Sequence, residues 1–301
     1  MTTKHFLSLD DIPIAELQAL LARAIELKQM VKAGEAYTPL RDKTLAMIFN
    51  KASTRTRVSF EVGMRQLGGG AINLTPGDTQ MGRGEPIEDT ARVISSMADV
   101  VMIRTDAHSQ LETFVKHSSV PVINGLTDDV HPCQLLADLM TLMEVGKDLA
   151  NMSVAWIGDG NNVCHSWMNA ARLFGFSLRI ATPEGFTPAA AFQSLNKGHF
   201  ELGTDPRHAI EGADVVVTDT WASMGQEQEK QEREQAFKDF CVDQTLMDEA
   251  DADAVFMHCL PAYREQEVST AVLEGHQSVV FQEAENRLHA QKALLEYLLV
   301  N

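Results

Sequence analysis

Basic residues are in short supply in this chain: 25 Lys and Arg stand against 42 Asp and Glu over 301 residues, a formal net charge of −17. Phosphate backbones and anionic bilayers are held by dense positive patches, so this balance argues against nucleic acid and membrane surfaces as partners. Long apolar runs are also missing. None approaches the roughly 20 residues that cross a bilayer, and Met1–Ile12 lacks the basic stretch, apolar core and small-residue cleavage site of a secretory leader. The cytoplasm is the expected location. Cysteine is sparse and scattered (Cys133, Cys164, Cys241, Cys259), with no C-x-x-C pair, which favours free thiols over a disulfide framework. The neighbours His131 with Cys133, Cys164 with His165, and His258 with Cys259 do not have the spacing of a structural zinc site, so no metal is expected. There is no internal repeat and no low-complexity linker.

What is present is an ordinary globular composition, 45% hydrophobic and 22% charged, on a chain whose length suits two domains better than one. Leu17–Val31 carries apolar residues at helical spacing and ends near Gly34. Strand patterns at Leu45–Phe49, Val100–Ile103 and Val120–Ile123 alternate with helical patterns at Val58–Leu67, Ile87–Met97 and Leu111–His117. A helix opened by Pro132, striped with Leu135, Leu136, Leu139, Leu142 and Met143, runs to Gly146. A second alternating set follows, with strands at Val154–Ile157, Leu178–Ala181, Val215–Thr218, Val255–Met257 and Val279–Phe281. Such alternation predicts two doubly wound α/β domains, each a parallel sheet covered by helices, joined by helices. The expected division is 1–150 and 151–284, with a boundary near Leu149–Met152. A last helix over 285–301 is expected to pack back on the first domain. The densely charged segment Gln226–Gln235 reads as the solvated face of a helix.

Chemistry concentrates at turns. After the strand ending at Phe49 comes Ser53-Thr54-Arg55-Thr56-Arg57, followed by a helix carrying Phe60, Met64 and Leu67. Free amides at a helix start, hydroxyl donors and guanidinium forks together make a seat for phosphate. Taken singly, Ser or Thr there would only cap the helix. The glycines of a P-loop are absent. Further on, Gly158-Asp159-Gly160-Asn161-Asn162 invites a dinucleotide reading. Val163 stands where the third glycine would fall, however, and the following strand ends at Thr182 rather than an acidic residue, so a tight strand-to-helix turn is the better reading.

The Ser53–Arg57 run resembles the phosphate signature of the aspartate/ornithine carbamoyltransferase family, and other markers follow in the family's order. They are Arg104 at a strand end, His131-Pro132-Cys133-Gln134, Asp219 with Ser223-Met224-Gly225, and His258-Cys259-Leu260-Pro261. The resemblance implies carbamoyl phosphate as one substrate and no cofactor. It implies that Ser53, Thr54, Arg55, Thr56 and Arg57 hold the phosphate, that Thr56, Arg104 and His131 contact the carbonyl oxygen, and that Gln134 contacts the carbamoyl NH₂. Pro132, Cys133, the backbone at Cys259 and Leu260, and Arg287 would complete that site. Elementary chemistry agrees: attack on the carbamoyl carbon moves negative charge onto its oxygen, and preset donors such as Arg104 and His131 stabilise it.

For the acceptor, the Asp219 and Ser223-Met224 loop resembles the ornithine-binding loop, with Asn162 implied as the partner of the amino-acid carboxylate and Cys259 as a thiol near the reactive amine. An aspartate suits a cationic acceptor and would repel one with an extra carboxylate. L-Ornithine is therefore the expected acceptor, and citrulline and phosphate the expected products, within arginine metabolism. N-acetylornithine would leave Asp219 without an ammonium. The resemblance also implies a homotrimer or a multiple of trimers, with Gln80, in the loop Gly77–Pro86, reaching a neighbouring subunit's site. Arg83-Gly84 stands where other members carry His or Lys. Rival classes are an NAD-dependent dehydrogenase, disfavoured by the broken glycine fingerprint, and a non-catalytic carbamoyl phosphate sensor, disfavoured by the acceptor-site residues.

Overall fold

The computed structural model describes residues 3–75, 77, 84–222 and 230–300. By internal packing the chain forms two units: 1–140 together with 285–301, and 141–284.

The first unit holds a four-stranded parallel sheet of β1 (Thr44–Phe49), β2 (Gly70–Leu74), β3 (Val100–Arg104) and β4 (Val122–Leu126), in the order β2-β1-β3-β4. Helices α1 (Ile14–Lys32), α2 (Thr54–Gln66), α3 (Ile87–Ser95) and α4 (His108–His117) belong to it, as does the start of α5 (Pro132–Glu144). Strands β1 and β3 are central and read as unbroken apolar runs because helices cover both faces; all five residues of β3 are buried. Edge strand β2, sequence GAINL, is exposed or half-buried throughout. It opens on glycine and carries no burial pattern, so its sequence does not announce a strand.

The second unit holds β5 (Ser153–Ile157), β6 (Ser177–Ala181), β7 (Glu201–Gly203), β8 (Val215–Thr218) and β9 (Val255–His258), all parallel, in the order β7-β6-β5-β8-β9. Its longer helix is α6 (Asn162–Phe174); shorter ones are α7 (Ala190–Leu195), α8 (Pro206–Ile210), α9 (Lys230–Ala236), α10 (Gln244–Met247) and α11 (Thr270–Leu273). The core on one side of this sheet gathers Val216, Phe256, Trp221, Phe237, Phe240 and Val242. The expected two doubly wound parallel-sheet domains are thus observed.

Two expectations need correction. Val279–Phe281 is not a strand. The chain pairs with β9 only through an isolated bridge from Ser278 to Phe256, after which Val280 opens α12 (Val280–Leu299) and Phe281 is 60% exposed. A three-residue apolar run has no periodicity with which to tell strand from helix. Nor is the charged stretch before Gln235 wholly solvated: Arg233 is buried, as described below. Residues 285–299 of α12 join the first unit through Lys28 to Asn286 (2.7 Å), Arg23 to Glu296 (3.1 Å) and Lys292 to Gln66 (3.0 Å).

In both sheets the strand order reverses direction, between β1 and β3 and between β5 and β8. Loops leaving the carboxyl ends of such strands diverge to opposite faces, which opens a crevice where ligands bind.

Candidate active site

At the first reversal, β1 ends at Phe49 and the Ser53 side chain caps α2, accepting from the Thr56 amide at 3.3 Å. The cap turns the helix's free amides and dipole toward the strand ends. Across the crevice Arg104 closes β3 at a register shift against β4, 8% exposed. From the end of β4 the chain reaches His131 and enters α5 at Pro132, where a missing N–H costs nothing.

These residues converge. The Arg287 guanidinium donates from Nη1 to Gln134 Oε1 at 2.6 Å and from Nη2 to Thr56 Oγ1 at 3.2 Å, and all three are buried. Gln134 in turn donates to Asp138 at 2.8 Å, which fixes its amide orientation. Burial drives the His131 pKa well below the usual histidine range, and the positive fields of Arg287, Arg104 and Arg55 push it further down. His131 is therefore neutral at physiological pH, able to donate one hydrogen bond without adding a charge to a crowded cationic site. Cys133 Sγ donates to the Asn124 carbonyl at 3.3 Å, and burial lifts its pKa to about 12, so it is an inert packing thiol.

Arg55 is half-buried, while Thr54 is exposed at the helix start. Arg57 is mostly exposed and faces Glu61 at 3.6 Å, outside the Arg287 network. Gln80 and Arg83 lie outside the described residues, as do Ser223, Met224 and Gly225.

At the second reversal β5 runs into the Gly158-Asp159-Gly160 turn. A Cβ on Gly160 would sit 2.2 Å from the Pro188 nitrogen, so the close approach of the 183–189 segment demands glycine. Asn161 caps α6, its side-chain oxygen accepting from the Val163 and Cys164 amides at 3.0 and 3.1 Å. Its amide nitrogen donates to Asp219 Oδ2 at 2.7 Å. Asp219, just past β8 and 7% exposed, accepts with Oδ1 from the Thr220 amide at 2.8 Å and from Cys259 Sγ at 3.2 Å. Asn162 is half-buried in the first turn of α6.

Cys259 and Leu260 leave the end of β9. Leu260 has a positive φ of 58° and precedes a cis peptide to Pro261. Its amide donates to His258 Nδ1 at 2.8 Å, so the proton of the neutral imidazole sits on Nε2, which faces Glu267 Oε1 at 3.2 Å. Asp219, His258 and Cys259 bring possible ligand atoms within 4.8 Å of one another. To ligate a cation, His258 would have to give up the Leu260 amide or Glu267, so the arrangement serves as a hydrogen-bond network.

Sequence reasoning singled out Asp219 and Cys259 but missed Asn161, Arg233 and Glu267. An Asn immediately before a helix is a capping signal, and that signal could have found Asn161. Nothing local marks the other two.

A sequence profile described as the carbamoyl-P binding domain of aspartate/ornithine carbamoyltransferase matches residues 4–144, and one described as its Asp/Orn binding domain matches 150–298. The chain is 58% identical over 299 residues to the ornithine carbamoyltransferase of Hydrogenovibrio crunogenus, covering 99% of each chain. It is 59% identical over 299 residues to that of Methylococcus capsulatus, again covering 99% of each. Among solved structures, ornithine carbamoyltransferase from Pyrococcus furiosus superposes with a TM-score of 0.95 at 46% identity, over 99% of this chain and 97% of that one.

Proposed function

The chain belongs to the aspartate/ornithine carbamoyltransferase family, and from that premise we propose that it transfers the carbamoyl group of carbamoyl phosphate to the side-chain amine of L-ornithine, giving L-citrulline and phosphate. The observation that carries this reading is the buried group of Arg287, Thr56 and Gln134 around a neutral His131 that also feels Arg104 and Arg55. Fixed positive charge and neutral donors are what a dianionic leaving group and a developing oxyanion require. The phosphate rests on the α2 start, with Arg55 and Arg57 reaching it. Thr56, Arg104 and His131 hold the carbonyl oxygen, and Gln134 holds the carbamoyl NH₂. As the amine attacks, its electron pair forms the C–N bond and the carbonyl oxygen takes up negative charge; the C–O bond to phosphate then breaks, phosphate leaves with the electrons of that bond, and the proton the nitrogen gives up departs on the phosphate. These residues stabilise both the oxyanion and the departing group without a cofactor.

Asp219 supplies the acceptor's counter-charge. A side-chain amine of this kind has a solution pKa of about 10.4, so the site must select the unprotonated form. Pairing Asp219 with the α-ammonium places the one required positive charge away from the attacking nitrogen. The full-length likeness to ornithine carbamoyltransferases supports this acceptor, and Asn162, Ser223 and Met224 belong to the same subsite, with the Cys259 and Leu260 backbone beside the carbamoyl group.

The protein acts in arginine metabolism in the cytoplasm, as a homotrimer or a multiple of trimers in which Gln80 serves a neighbouring subunit's site. Self-association is supported by large apolar residues exposed on the first unit: Val58, Ile72, Val93 and Met97, the last 79% exposed. Incubation with carbamoyl phosphate and ornithine, aspartate or N-acetylornithine tests the assignment. Citrulline from ornithine alone is expected; carbamoylation of either other amine in preference would overturn it.

A further inference from the structure

Arg233 has no role in the scheme above, yet among the described residues it is buried, at 7% exposure, as only Arg104 and Arg287 are besides it among the arginines. Its Nη1 donates to Asp159 Oδ2 and to the Trp221 carbonyl, each at 2.8 Å, and its guanidinium lies 5.0 Å from the centre of the Phe186 ring. The contacts come from three separate pieces of chain. Asp159 is in the turn after β5, Trp221 lies two residues beyond Asp219 after β8, and Phe186 is in the segment that packs on Gly160. One side chain therefore ties the β5 turn to the β8 exit.

Those two segments hold the acceptor-site pair. Asp159 is two residues before Asn161, which donates to Asp219, and Trp221 is two residues after Asp219. The Asp159 carbonyl is itself pinned, accepting from Trp156 Nε1 at 3.0 Å. Burial raises the Asp159 pKa to about 6 although Arg233 opposes it, and the field of Asp219 adds to the rise. Two carboxylates thus share a dry region, and Arg233 is spent on one of them, leaving the other to face a ligand.

We propose that Arg233 is a positioning residue for the acceptor amino acid: by clamping Asp159 and the Trp221 carbonyl together it sets the Asn161–Asp219 geometry and reserves the Asp219 charge for the substrate's ammonium. This deepens the ornithine assignment and rests on it.

The test uses the full-length enzyme with Arg233→Gln, Arg233→Lys, and the double variant Arg233→Gln with Asp159→Asn. A misplacement of about 1 Å in a reacting group costs on the order of 100-fold in rate, so kcat/KM for ornithine in Arg233→Gln should fall by roughly that factor while KM for carbamoyl phosphate stays within about twofold. Lys keeps the charge but not the fork, so Arg233→Lys should recover only part of the loss. The double variant removes the uncompensated buried carboxylate, and so should regain thermal stability without regaining ornithine turnover. A purely structural Arg233 would instead give recovery of both.

A second readout needs no substrate. The Cys259 thiol donates to Asp219, so displacement of Asp219 should raise the alkylation rate of Cys259 several-fold relative to Cys241, a half-exposed internal reference in the same unit. Unchanged ornithine kcat/KM with unchanged Cys259 alkylation in folded Arg233→Gln overturns the proposal. So does an equal loss toward both substrates. If the parent enzyme fails to make citrulline, the ornithine assignment falls, and the alkylation ratio still decides whether Arg233 positions Asp219.

Discussion

Histidine 131 shows how strongly a side chain's chemistry is set by its surroundings. A solvated imidazole titrates near pH 6.5, but burial beside three guanidinium groups holds this one neutral far below that. The unfolded chain takes up the proton first, so the stabilisation from a neutral His131 is complete above about pH 6.5 and weakens as pH falls beneath it. Its ring proton signals in an NMR titration should stay flat between about pH 5.5 and 8; an inflection near 6.5 would contradict the burial argument. At Asp219 the expected outcome of Asp219→Asn is a large loss of ornithine turnover with carbamoyl phosphate binding nearly intact, because the change touches the second unit alone. Loss of carbamoyl phosphate binding with ornithine affinity preserved would assign Asp219 to the other substrate. Arg57→Ala should weaken carbamoyl phosphate binding and transfer severely even though Arg57 faces Glu61 here, since that exposed pair contributes little on its own. Unchanged binding in a folded variant would remove Arg57 from the phosphate site.

At the scale of elements, each unit builds its candidate site by the same device, a strand end feeding a capped helix. Ser53 caps α2 and Asn161 caps α6. Asn161 does more than cap, because its amide also holds Asp219. Replacing a capping Asn by Ala typically costs about 1 kcal/mol. Asn161→Ala should show that modest loss in denaturant unfolding together with a much larger fall in ornithine kcat/KM, and a fall no greater than the stability loss would reduce Asn161 to a cap. The turn beside it tolerates no side chain: Gly160→Ala drives a Cβ into backbone at Pro188, so the loop must move and ornithine turnover fall with it. Element boundaries were legible where helices bury both faces of a strand, as at β3 and β8. They were not legible at β2 and β7, edge strands whose exposed residues carry no periodic signal.

For the whole molecule, assembly as a trimer predicts a solution mass three times the 33.2 kDa of one chain. Light scattering checks it. A shared site also predicts complementation: chains disabled at Arg57 mixed with chains disabled at Gln80 should regain activity in hybrids, because one neighbour supplies each intact residue. Hybrids that form and stay inactive would confine the site to one chain. Charge at Met97, the apolar residue of the first unit that is 79% exposed, should lower the assembled mass if a second copy covers it.

By itself the sequence determined the alternating α/β pattern and the two sheets, and it marked the residues expected to carry chemistry. Apolar runs, capping residues and the Ser53–Arg57 cluster are local signals, written within a few positions of one another. Only tertiary structure decided which of those residues meet. Arg287 reaches Thr56 and Gln134 from 231 and 153 positions away, His131 loses its charge because packing buries it and separate elements then bring arginines around it, and Arg233 leaves a charged surface segment to be buried against Asp159. None of these could be read from spacing, since desolvation and pairing are properties of the packed neighbourhood, and neighbours far apart in sequence leave no local periodicity to mark them.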